Sequence, residues 1–170
     1  MILISGTMLF ATLLMGYSLY RSTASMWPPA GSSRVDLGYP ILSTLTILIS
    51  SWFCRQVKMG VKAGNLKDAR MNLHTTLVLG LIFMGIQILF WTKLQASGVV
   101  TSSGIFASII YGYTWIHALH VLMGLGSLVW LRLVLKETTT NLWQKTLNVE
   151  KFWHFLGIIW LIMFLTLFVL

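Results

Sequence analysis

Four histidines carry most of the chemistry this sequence can offer: His74, His117, His120 and His154. Two of them lie three residues apart in "WIHALHVLMGLG", residues 115–126. On a helix that spacing puts both rings on one face. Two imidazoles on one face can begin a metal site, but a site needs three or four N, O or S donors. The apolar segments hold no Asp or Glu, the one cysteine is Cys54, and the helix carrying the pair adds no third strong donor. The composition therefore predicts no catalytic group, metal or cofactor held by the chain itself.

Haem binding is a sharper test, because it asks for two rings at matching depth on facing helices. With a rise of about 1.5 Å per residue, His120 lies about 15 Å from the inner end of its helix. His74 and His154 both lie near the inner starts of theirs, so only they could bracket a haem, close to the headgroups. A standalone haem-carrying electron-transfer protein is the rival reading they support. A proton relay needs titratable groups across the bilayer, and none follows His120 on its helix before Arg132.

Packing is the remaining role. Tyr113, His117, His120 and Gly124 recur at spacings of four, three and four and line one stripe. Gly112, Ala118, Gly126 and Ser127 lie beside it. Small residues let membrane helices approach closely, and histidine can hydrogen-bond between them. Trp153 and Trp160, seven residues apart, share a face, and Trp153 with His154 sits at a membrane boundary, where amphipathic rings settle. Gln87 and Arg21 complete the candidates for helix-interface or lipid contact.

The elements that must position these side chains are membrane helices. The 170 residues are 56% hydrophobic and only 9% charged, against about a quarter charged in a soluble domain. Mean hydropathy is +0.80. Apolar runs predict five transmembrane helices in one domain, at about residues 1–20, 39–58, 71–93, 105–132 and 149–170, each long enough to cross about 30 Å of hydrocarbon. The first run has no basic residues ahead of it and reads as a spanning helix rather than a cleaved signal. Between the runs, "SMWPPAGSSRVDLGYP" is rich in Pro and Gly and predicts a non-helical connector. The four acids, Asp36, Asp68, Glu137 and Glu150, fall in connectors or at their edges.

The net charge of +8 is a topology signal, not a nucleic-acid footprint. Lys and Arg number two, five, one and four in the successive connectors. The nine in the second and fourth, against three in the first and third, place those two in the cytoplasm. The N-terminus is then inside and the C-terminus outside. Anionic lipid headgroups are a second use for the basic connectors.

The same stretches resemble a known family. "MLFATLLMGYSLYRSTASMWPPAG", "GYPILSTLTILISS", "TLVLGLIFMGIQ", "HALHVLMG" and "FWHFLGIIWL" are similar, in order and each on the expected helix, to segments of subunit III of the haem–copper terminal oxidases, cytochrome c oxidase type. The likeness is to a short five-helix form and covers essentially the whole chain. It implies a non-catalytic, multi-pass subunit of a proton-pumping complex in the bacterial plasma membrane. The haems and copper belong to the partner subunits I and II. Subunit I is the main contact, and bound phospholipid is expected. A quinol-oxidase subunit III and a nitric-oxide-reductase-associated accessory protein are the near alternatives. Three acids usual in the family are replaced here by Gly6, Phe90 and Gly157, so the resemblance carries no role for those carboxylates.

Overall fold

In a computed structural model of the chain, described at residues 2–23, 37–98, 104–135 and 141–169, all regular structure among the described residues is helical. Five helices follow in order: α1 Ile2–Thr23, α2 Gly38–Lys62, α3 Leu66–Ala96, α4 Ile105–Val134 and α5 Leu142–Phe164, which widens into a π-helical turn at Leu165–Val169. Three of them, α3, α4 and α5 with its π turn, are long and apolar enough to cross a membrane by length and composition. The Trp-Pro-Pro connector lies outside the described residues.

Several boundaries differ from the sequence expectation. Pro40 falls inside the first turn of α2 and is buried there. In a first turn its missing N–H would have no helical partner in any case. The basic second connector shrinks to three residues. Gly64, at φ +72°, lets the Asn65 N–H bond to Gly60 O at 2.9 Å and the Gly64 N–H to Val61 O at 3.2 Å, a double closure that ends a helix on a left-handed residue. Asn65 then starts α3, its Oδ1 accepting from the Asp68 N–H at 3.2 Å. One residue ends one helix and caps the next, so α2 and α3 fold back as a tight hairpin. Helix α5 begins well before the expected residue 149, so most of the fourth basic connector is helical.

Helix α2 packs along α3 and α5, and α4 packs against the same two neighbours. Helix α5 also meets α1 and is the centre of the bundle. Its buried residues Thr146, Val149, Trp153, Leu156, Trp160 and Met163 recur at spacings of three and four, the stripe that turns one helix face inward. Trp153 is completely buried. Its ring lies where α3 and α4 each present a glycine: a Cβ on Gly80 would come within 2.8 Å of it, and one on Gly124 within 3.1 Å. Its Nε1–H donates to Ser50 Oγ on α2 at 3.1 Å, and Ser50 Oγ donates onward to Thr76 O on α3 at 3.2 Å. One indole thus touches three other helices.

Helix α1 is held by fewer groups. Tyr17 donates its hydroxyl to Thr166 O at 2.7 Å, and Tyr113 on α4 donates to Leu13 O. Gly112 and Gly126, expected at a close helix contact, are exposed with nothing near a Cβ, and the close approaches fall instead at Gly80 and Gly124.

Substituting Gly124 or Gly80 by leucine should drive atoms into the Trp153 ring and cost about 1–3 kcal/mol. Gly85, with open space around it, should accept alanine without loss. Thermal unfolding of the detergent-solubilised protein measures both. Equal midpoints for the leucine variants and the parent would show that the indole is not held in this notch.

Candidate functional site

Two clusters of polar groups lie in the bundle, one deep and one near an end. The deep one forms around His117. Its ring is buried, 6.1 Å from Phe10 on α1, 6.0 Å from Phe83 on α3 and 5.4 Å from Trp160 on α5, measured between centroids. Phe83 meets Trp160 edge-on at 5.1 Å. Trp160 donates Nε1–H to Thr44 Oγ1 at 3.1 Å. Gln87, one turn beyond Phe83, donates Nε2–H to Ser43 Oγ at 2.9 Å. The layer therefore draws a side chain from every helix.

His120 does not join it as an equal partner. Its ring is half-buried, 5.3 Å from Phe10, and its Nδ1–H donates to Ile116 O of its own helix at 2.8 Å. Tyr113 and Gly124 of the same stripe are buried, Tyr113 against Tyr17 at 6.5 Å and Gly124 against Leu156 and Trp153. The stripe faces other helices of this chain. Arg21 sits half-buried in the last turn of α1.

The second cluster forms around Glu150, an acid expected at the edge of a connector. Glu150 lies beyond the second turn of α5 and is buried. Its Oε1 is 2.6 Å from Lys58 Nζ on α2 and 3.6 Å from His154 Nε2. The Glu150 side chain keeps 6% of its exposure, Lys58 24% and His154 34%. Because α5 starts earlier than its apolar run, its polar first turns pack against the end of α2 and bury the carboxylate. Cys54, one turn before Lys58, is also buried. The signal was present in the sequence as Glu150 and His154 four residues apart, a spacing that puts both on one helix face.

His74 is exposed on α3, and His154 faces Glu150 on its own helix. Among the described residues no three His, Cys, Asp or Glu side chains gather as metal ligands would. Among the described residues the chemistry of this interior is hydrogen bonding, the Lys58–Glu150 ion pair and aromatic packing. Sequence reasoning missed Ser50, Thr44 and Ser43, the acceptors that fix Trp153, Trp160 and Gln87. The available signal was the run of hydroxyls on one face of α2.

Removing one partner of a buried ion pair strands the other charge, at a cost of about 3–5 kcal/mol. Glu150 is the more deeply buried member, so Lys58→Met should destabilise more than Glu150→Gln, which leaves a lysine able to reach solvent. The double variant should recover much of the loss. A double-mutant cycle read by thermal unfolding checks this, and strictly additive losses would show that the two groups do not interact.

Comparison with known proteins agrees with this architecture. The family model for cytochrome c oxidase subunit III matches residues 1–170. A cytochrome c oxidase subunit 3 of Thermostichus vulcanus is 30% identical over 173 aligned residues, covering 99% of this chain and 83% of the relative. A second, from Synechocystis, is 25% identical and covers 99% of this chain and 72% of its own length. A probable cytochrome c oxidase subunit 3 of Nocardia farcinica is 30% identical, covering 96% and 82%. The helical, apolar chain, matched from end to end, belongs to the cytochrome c oxidase subunit III family.

Proposed function

We propose that this chain serves its oxidase as a non-catalytic subunit that stabilises subunit I and organises phospholipid around it. The observation that carries the reading is the division of the bundle into two surfaces. Polar groups such as His117 and Gln87 and rings such as Phe83, Trp153 and Trp160 turn inward onto other helices of the same chain. Large apolar side chains such as Leu81, Ile82 and Leu89 on α3 and Leu119, Leu122 and Met123 on α4 are exposed. Such faces suit acyl chains and the helices of a larger subunit. Oxygen reduction and proton pumping then belong to the complex, and the haems and copper to subunits I and II. The relatives' names favour a cytochrome c donor over the quinol-oxidase and nitric-oxide-reductase alternatives.

In this reading all five helices cross the bacterial plasma membrane, the N-terminus lies inside and the C-terminus outside. The turn at Ala63–Asn65, flanked by Lys58, Lys62, Lys67 and Arg70, is then cytoplasmic.

Two measurements test these proposals. An oxidase complex prepared without this chain should begin turnover at a near-normal rate and lose activity over successive turnovers. Full activity sustained as long as in the intact complex would remove the stabilising role. A cysteine at exposed position 63, introduced as Ala63→Cys with the buried Cys54 replaced by alanine, should resist membrane-impermeant thiol reagents in right-side-out vesicles. It should react once the membrane is opened, whereas labelling from outside would reverse the topology.

A further inference from the structure

Among the described residues three buried side-chain polar atoms have no hydrogen-bond partner: both ring nitrogens of His117 and Oε1 of Gln87. They fall in one layer. Phe83 touches both His117 and Trp160, and Gln87 follows Phe83 by one turn on α3. Trp160 bonds Thr44, and Gln87 bonds Ser43, the adjacent residue of α2. Reversing the Gln87 amide does not remove the problem, because one of its two polar atoms would still face away from Ser43.

A buried polar atom without a partner costs about 1–3 kcal/mol, and hydrocarbon around the bundle supplies no substitute. A neutral imidazole offers one donor and one acceptor, and a Gln Oε1 offers a further acceptor. The three atoms together ask for two donors and one acceptor. Water supplies that combination, and buried waters typically make about three hydrogen bonds. An aliphatic ligand supplies none of it. A lipid headgroup or a partner's side chain would have to pass the rings of Phe10, Phe83 and Trp160 that surround His117.

We propose that this layer is an internal hydration site, where one water or a linked pair bonds His117 and Gln87 in the otherwise apolar centre of the bundle. The site gives His117 a purpose that neither metal binding nor helix-to-helix hydrogen bonding provides. It also ties α4 to α3 through solvent at the level where Trp160 and Gln87 bond α2 directly.

The test uses the assembled oxidase containing this chain. A density map fine enough to show ordered water should place a peak within about 3.2 Å of a His117 ring nitrogen and of Gln87 Oε1. No peak at either atom, or a protein or lipid group filling the place, overturns the proposal. Variants give an independent reading. With water present, His117→Phe and Gln87→Leu should each lower the thermal midpoint, and the double variant should fall by less than the sum of the two. If the layer is dry, His117→Phe removes only unpaired polar atoms, whereas Gln87→Leu also breaks the bond to Ser43. The His117→Phe midpoint would then rise, which would also overturn the proposal.

Discussion

The bundle depends on how one indole is held. Between helices in lipid the hydrophobic effect contributes little, so association rests on close packing and hydrogen bonds. Trp153 supplies both at one point. Its ring fills a notch that exists because Gly80 and Gly124 have no side chains. Its N–H, which could not be left bare in such a place, reaches Ser50, and Ser50 reaches the backbone of α3. Take away the glycines and the ring cannot enter. Take away the hydroxyl and a buried donor is stranded.

The same logic repeats one heptad along α5 with different parts. Trp160 is again fully buried and again bonds a hydroxyl of α2, but its flanks are aromatic: Phe83 on one side and His117 on the other. Small residues face the first indole and rings face the second. The unpartnered polar atoms of His117 and Gln87 lie in the layer of the second. Helix α1 adds a ring, Phe10, to this layer and is joined to the bundle by two tyrosine hydroxyls as well. It leaves Ile4, Met8, Met15 and Leu19 uncovered, a face that matches lipid or a larger partner better than water.

Much of the fold was legible because hydrocarbon permits few choices. A chain with so few charges must be helical where it is apolar, and the runs around residues 73–91 and 105–131 could only be long helices. The Trp153 and Trp160 spacing announced a shared face. Other features resisted because they depend on meetings between distant residues. Ser43, Thr44 and Ser50 look like ordinary polar residues until the indoles and the amide arrive. Gly112 and Gly126, beside the stripe, read as close-contact glycines too, yet only Gly124 of the three faces Trp153 and Leu156. The end of α2 was placed at about residue 58 instead of Lys62 because the residues around Lys62 read as a connector. A helix can carry charges past its apolar run when their long stems reach back to the surface, and a Schellman closure at Gly64 marks its end more reliably than hydropathy does.

Glu150 shows what the remaining charge does. Replacing a buried ion pair with apolar groups of the same size is often neutral or favourable, so such a pair is weak evidence for stability. Its value here is positional. Lys58 with Glu150, Ser50 with Trp153 and Thr44 with Trp160 run in opposite sequence directions and define a single antiparallel register between α2 and α5. Sliding α5 by one turn, about 5.4 Å, would leave a carboxylate unpaired at one end and two indole donors unbonded along the way. Apolar stripes alone would tolerate such a slip, since leucines and isoleucines recur every three or four residues on both helices. The polar contacts do not tolerate it. They fix how the central helix stands, and with it which apolar faces the subunit turns toward lipid and toward its partners.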